Sequence, residues 1–148
     1  MSVNADLQGR VYPPAPPYSV GREGIRAFAA AVKATHPVHS DLDAALAAGH
    51  ADLVAPPTFA VVIAQNAEGA YIQDPESGID FARVVHAEER FTHHRAIVAG
   101  DQITATVSVE RARAVGTGGM VVTRTELVGA DGEPVTTVLS TLMVRGED

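Results

Sequence analysis

Hydrophobic and polar positions change their spacing several times along this chain, and each change marks a different kind of element. Ile25, Phe28, Ala29 and Val32 fall at i, i+3, i+4 and i+7, one apolar stripe that predicts a helix from about Arg22 to Thr35. Pro37 stops it, because the residue before a proline is pushed out of the α region. A short helix is expected from Asp41 to about Ala48, with Ser40 placed to cap its free N–H groups, Asp43 in the first turn and Gly49 at the end. The segment from Pro57 to about Ala67 differs in kind, since Thr58-Phe-Ala-Val-Val-Ile-Ala64 has almost no polar face and must be buried on most sides. By periodicity alone it fits a buried strand or a helix; the leading prolines and the alanines favour helix.

Beyond Asp80 the pattern reads as strand throughout. Ile103, Ala105, Val107 and Val109 alternate with Thr104, Thr106, Ser108 and Glu110, and a second alternation runs from Met120 to Val128. A last strand is expected from about Val135 to Val144, and two more at Phe81–Val85 and Arg90–Ala96. Gly116–Gly119 and Ala130-Asp-Gly132 supply turns. Near the start, the four prolines of Tyr12-Pro-Pro-Ala-Pro-Pro-Tyr18 force an extended path and exclude helix. Residues 1–19 are therefore expected to form a strap across the surface of one domain that spans residues 1–148. Helices followed by hairpin-connected strands predict an α+β fold, with a curved antiparallel sheet wrapped around the central apolar helix, the hot-dog arrangement. Open sheet edges of this kind pair across a dimer, so a monomer is not expected.

Composition narrows the chemistry. The 148 residues carry 18 acidic against 11 basic side chains, a formal charge of −7 with no basic cluster, which disfavours nucleic acid. Cysteine is absent, which removes disulfides, thiolate metal sites and thiol nucleophiles together. The apolar stretch Phe59–Ala64 is too short to cross a bilayer, and Met1–Gly9 lacks the basic start and apolar run of a signal peptide. A cytoplasmic protein with no membrane partner is expected.

Val32-Lys-Ala-Thr-His-Pro-Val-His39, Gly49-His-Ala-Asp-Leu-Val-Ala-Pro-Pro-Thr-Phe59 and Val98-Ala-Gly-Asp101 resemble the MaoC-like family, known for (R)-specific enoyl-thioester hydratases and dehydratases. Gly9-Arg-Val-Tyr-Pro13, Val20-Gly-Arg-Glu23 and Ala55-Pro-Pro-Thr-Phe59 look like a group of small actinobacterial proteins similar to the accessory subunits of a β-hydroxyacyl-ACP dehydratase. In active members an Asp stands five residues before a His, in a pattern Gly-Asp-x-Asn-Pro-x-His, and the pair positions water against a trans-2-enoyl thioester. The resemblance also implies a backbone N–H at the start of the central helix that stabilises the thioester oxygen.

Carried over by position, His39 matches the family histidine, but Ala34 stands where the acid should be, Lys33 replaces the glycine and His36 the asparagine. Pro57 occupies the position of the oxyanion donor and has no amide hydrogen. His39 is thus the remaining catalytic candidate, with Asp41 a possible replacement acid, His36 a possible shuttle and the Thr58 N–H a possible replacement donor. Phe59, Val62 and Ile63 are candidates to line an acyl channel, and each is also readable as plain core.

His36-x-x-His39 and His93-His94 invite a metal reading. Pro37 breaks the first pair, and adjacent strand residues send the second pair to opposite faces, so no metal is expected, nor any cofactor. Gly116–Gly119 lies between strands and does not open a helix, so a hairpin turn is expected there and no phosphate loop. His86 to Arg90 reads as a solvated strand end.

Three functions remain open. The first is an accessory subunit that handles acyl-CoA or acyl-ACP, as a homodimer or beside a catalytically complete hot-dog partner. The second is a self-sufficient hydratase using His39 with a non-standard acid. The third is a non-catalytic acyl-CoA binder.

Overall fold

A computed structural model describes residues 2–147. Three helices precede four long strands: β1 (Tyr18–Ser19), α1 (Arg22–Ala31), α2 (Leu42–Ala47), α3 (Ala60–Ile72), β2 (Val84–His93), β3 (Gln102–Val115), β4 (Gly118–Val128) and β5 (Pro134–Val144). The strands form one antiparallel sheet in the order β1-β3-β4-β5-β2, curled around α3. The expected α+β arrangement, a curved sheet around a buried helix, is the one observed.

The central helix is buried along a regular stripe: Ala60, Ile63, Ala64, Ala67, Glu68 and Tyr71 fall at the spacing of one helical face. It packs on Ile103, Ala105, Val107, Leu127 and Val138, the sheet residues whose side chains alternate inward. The helix runs five residues beyond the expected end at Ala67, because Glu68 breaks the apolar pattern in sequence while keeping its place on the buried face.

The proline strap adds to the sheet. Gly9, Tyr12 and Ala15 donate backbone hydrogen bonds to Val109, Val107 and Ala105 of β3, and Val109 donates back to Arg10. A polyproline helix has three residues per turn, so Tyr12, Ala15 and Tyr18 share its inward face while Pro13, Pro14, Pro16 and Pro17 face water. Proline lacks an N–H, and here the ladder needs none from those positions. Tyr12 Oη donates to Asp74 Oδ2 at 2.7 Å and fixes the strap to the end of α3.

Four local expectations are corrected. Helix α1 stops at Ala31, because Lys33 turns left-handed with φ 60°; Val32 is then left 47% exposed instead of completing the stripe. The cap of α2 is Asp41, not Ser40: Asp41 has the extended backbone of a cap, and its carboxylate accepts from the Asp43 and Ala44 N–H groups, while Ser40 closes the preceding turn. Phe81–Arg83 forms a 3-10 turn capped by Asp80, so no strand begins at Phe81. The two strands expected at Phe81–Val85 and Arg90–Ala96 are one strand, β2, with a bulge between His86 and Glu88. His86 to Arg90 is accordingly its middle. The polar run that reads as a solvated strand end in sequence is the exposed side of an edge strand.

Glycine is required at the start of β4. A Cβ on Gly118 would stand 2.1 Å from the Val144 carbonyl oxygen, and one on Gly119 would stand 2.4 Å from that of Arg113. These close approaches let pairing with β3 begin at Gly118 and pairing with β5 at Gly119, inside the stretch expected to be turn.

Candidate functional site

His39 ends a 3-10 turn, Pro37–His39, between α1 and α2. Its ring is 9% exposed, and Nδ1 lies 2.6 Å from the Val54 carbonyl oxygen. A carbonyl oxygen can only accept, so a hydrogen sits on Nδ1, and in the neutral ring Nε2 carries the lone pair. The segment that holds this carbonyl is itself tied on both sides. Val54 N–H donates to Val38, Ala55 N–H to Ile97, and Ala99 N–H to Leu53. Asp52 accepts both arms of Arg22 at 2.9 and 2.8 Å, locking α1 to the same segment, and Arg22 holds the Asp52 carboxyl below the usual range. On the other side Arg95 forks onto Asp101 and reaches Glu133, while Asp101 Oδ2 also accepts from Val98 N–H. The Val98–Asp101 motif therefore acts as a brace for the histidine's scaffold.

What surrounds the imidazole is less complete. Among the described residues no carboxylate is a hydrogen-bond or ion-pair partner of His39. Ala34 is half-buried and contributes a methyl group. Asp41 spends its carboxylate on the α2 cap. His36 stands with its ring centroid 6.2 Å from that of His39, and its Nδ1 accepts from Val38 N–H, so this exposed ring caps the turn. Pro57 is the first residue of a 3-10 turn leading into α3. Thr58 follows, exposed, and among the described residues no backbone carbonyl accepts from its N–H. The turn thus fixes the His39 ring through Val54, and among the described residues no carboxylate stands beside it.

The remaining candidates separate. Phe59 is 2% exposed and meets Phe28 and Tyr18 edge to face, Ile63 is 1% exposed, and Val62 is half-buried at the margin of the same core. His93 and His94 bond Thr136 and Thr137, neighbours on opposite faces of β5, so their rings do not converge. No group of three or more His, Asp or Glu among the described residues is placed to hold a metal ion. Gly116 and Thr117 form the β3–β4 turn. No described helix is long and apolar enough to cross a membrane.

Sequence reading missed Glu68, a carboxyl group 1% exposed on α3. Its signal was available: it falls on the stripe of Ile63, Ala64, Ala67 and Tyr71.

Comparison with known proteins bears on the family and the fold. Residues 7–138 match the family described as FAS1-like, dehydratase domain region. A UPF0336 protein of Leifsonia xyli subsp. xyli is 54% identical over 146 residues, covering 99% of this chain and 98% of that protein. A chain of the C-terminally truncated HadBC complex of Mycobacterium tuberculosis, a 3R-hydroxyacyl-ACP dehydratase, superposes with TM-score 0.82 at 34% identity over 93% of this chain and 97% of its own. A MaoC-like dehydratase superposes with TM-score 0.87 at 32% identity, over 96% of this chain but 43% of its own. The chain belongs to the UPF0336 family and carries a MaoC-like, FAS1-like dehydratase domain of hot-dog fold.

Proposed function

We propose that this chain is the accessory subunit of an (R)-specific enoyl or 3-hydroxyacyl thioester hydratase/dehydratase, handling acyl-CoA or acyl-ACP beside a catalytically complete hot-dog partner in the cytoplasm. The observation that carries the reading is the state of the His39 site. A base with a fixed tautomer is present, but the position of the acid is a methyl group and that of the oxyanion donor is a proline nitrogen. Loss of one oxyanion donor alone lowers rates by ~10²–10³ in other enzymes, and loss of the orienting acid is of similar size. The two losses need not multiply, since both disable one unit.

Two further features support a partner. The strap occupies the outer side of β3, whereas β2 pairs only with β5 and exposes most of its ten residues, an edge suited to a second sheet. The similar HadBC protein is a complex. In this reading Phe59, Val62 and Ile63 form the wall of the acyl channel, which opens fully only when a partner completes it.

A second reading, a hydratase active alone, draws on the Thr58 N–H, which has no backbone acceptor among the described residues and lies in the turn into α3. Assay of the purified chain with crotonyl-CoA separates the two. The accessory reading expects negligible hydration alone and new activity after co-expression with a complete subunit. Robust hydration by the isolated chain, abolished in His39→Ala, would instead establish the second reading.

A further inference from the structure

The His39 site uses nothing from the far half of α3, yet that half carries Glu68, the only buried acidic residue among the described residues. Glu68 Oε1 lies 2.7 Å from Ser140 Oγ of β5 and 3.4 Å from Thr123 Oγ1 of β4. Ser140 Oγ also lies 2.7 Å from Glu89 Oε2 of β2. Glu89 Oε1 is buried without a hydrogen bond, and the His86 imidazole Nδ1 lies 3.5 Å from it.

Counting hydrogens fixes the state of this chain of oxygens. A serine hydroxyl has one hydrogen and can give it to one carboxylate only. The second contact at 2.7 Å then needs a hydrogen on the other carboxyl group, because bare oxygens repel at hydrogen-bond distance. One of the two glutamates is therefore a carboxylic acid. The extra proton belongs on Glu68. Burial, reinforced by the charge of Glu89, holds its carboxyl above the usual range, whereas Glu89 is partly exposed and has His86 beside it. Glu68 and His86 both line a cavity of about 320 Å³ together with Phe81, which gives the proton a way to the surface.

We propose that the Glu68–Ser140–Glu89 bridge is a proton-dependent clasp that fastens the edge strand β2 to the central helix α3. With one proton held, the three side chains form a continuous hydrogen-bonded chain. Without it, two carboxylates compete for one hydroxyl hydrogen at the buried flank of α3, and the looser of the two attachments gives way. That attachment is β2, which is paired on one side only. The charged groups acting on the clasp are few: Glu89 and His86 from β2. The inward positions of β3 (Ile103, Ala105, Val107 and Val109) are apolar, β4 and β5 offer hydroxyls, and the cavity neighbours Gln65, Gln73 and Phe81 carry no charge. The clasp itself does not depend on the accessory reading. Its consequence for that reading is that the edge offered to a partner is firmer at lower pH.

The sign follows from a raised carboxyl value in the folded state. The stabilisation is complete below the ordinary carboxyl value and is lost as pH rises toward and through the value of Glu68 in the fold. Within that window, opening of β2 releases a proton that the closed state keeps, so opening becomes about tenfold easier per pH unit. The test uses the isolated full chain. Carboxyl ¹³C shifts follow Glu68 and Glu89, while hydrogen-exchange protection factors, corrected for the intrinsic pH dependence of exchange, follow the amides of Glu88 to Phe91. The wild type should keep a protonated Glu68 above the ordinary range and lose β2 protection across the same pH interval. Glu68→Gln supplies a permanent N–H donor, so its β2 protection should be flat there. Ser140→Ala should let the two carboxyls titrate independently. A Glu68 that titrates in the ordinary range, or a Glu68→Gln profile parallel to the wild type, overturns the proposal. Should Glu68→Gln fail to fold, the wild-type carboxyl titration decides alone. Failure of the clasp leaves the partner reading intact, and absence of any partner leaves these measurements unchanged.

Discussion

At the scale of single residues, several positions hold conformations or atoms at odds with their surroundings. Lys33 adopts φ 60° without a glycine's freedom, at the position where the family pattern has glycine. The left-handed region costs a side-chain-bearing residue ~1–2 kcal/mol, while glycine adds ~0.5–1 kcal/mol of unfolded-state entropy. Lys33 is exposed, so strain relief wins, and Lys33→Gly should raise stability by ~0.5–1 kcal/mol in denaturant unfolding. Tyr71 is fully buried with an unpaired hydroxyl, and burial pushes its phenol up to about 12, so it stays neutral. Its ring packs against Tyr12 at 6.0 Å, a contact that survives loss of the oxygen. Tyr71→Phe should therefore be neutral or stabilising by ~1 kcal/mol, and a clear destabilisation in the same assay would point to a partner for that hydroxyl.

At the scale of elements, the periodic patterns were legible and the boundaries were not. The alternation of β3 and the stripe of α1 are visible in sequence because burial on one face imposes a period of 2 or 3.6 on the residues themselves. Strand β2 was read as two fragments because it lies at the edge and exposes most residues, so no buried face imposes alternation on it. The start of β4 was read as turn because its glycines answer to backbone approach across the sheet, which leaves no trace in hydropathy. Gly119→Ala tests this directly. The added methyl meets the Arg113 carbonyl at 2.4 Å and the Val3 side chain at 2.8 Å, and neither can leave without unpacking the sheet or the N-terminal segment. A loss of ~1–3 kcal/mol is expected, measured by thermal or denaturant unfolding.

At the scale of the whole molecule, the strap closes one side of the sheet and β2 leaves the other available. In a complex with a complete subunit, the accessory reading makes His39 a bystander to the chemistry. His39→Ala in this chain should then change kcat of the mixed complex by less than about tenfold, against the 10²-fold or greater loss expected of a general base. A large fall in kcat with KM unchanged would return His39 to the catalytic role.

The amino-acid sequence by itself determined that helices precede strands, the curved-sheet class, and the presence of a methyl side chain at Ala34 and of a ring nitrogen without hydrogen at Pro57. These are properties of residue type and local spacing, which a linear reading contains in full. Only the tertiary structure decided which atoms meet. The Val54 carbonyl that selects the tautomer of His39 comes from 15 residues away. The serine joining Glu68 to Glu89 lies 72 and 51 residues from its partners. Such meetings depend on the register of β5 against β2 and on the packing of α3 over both. A shift of one residue in either strand would turn Ser140 or Glu89 to the opposite face, because strand side chains alternate.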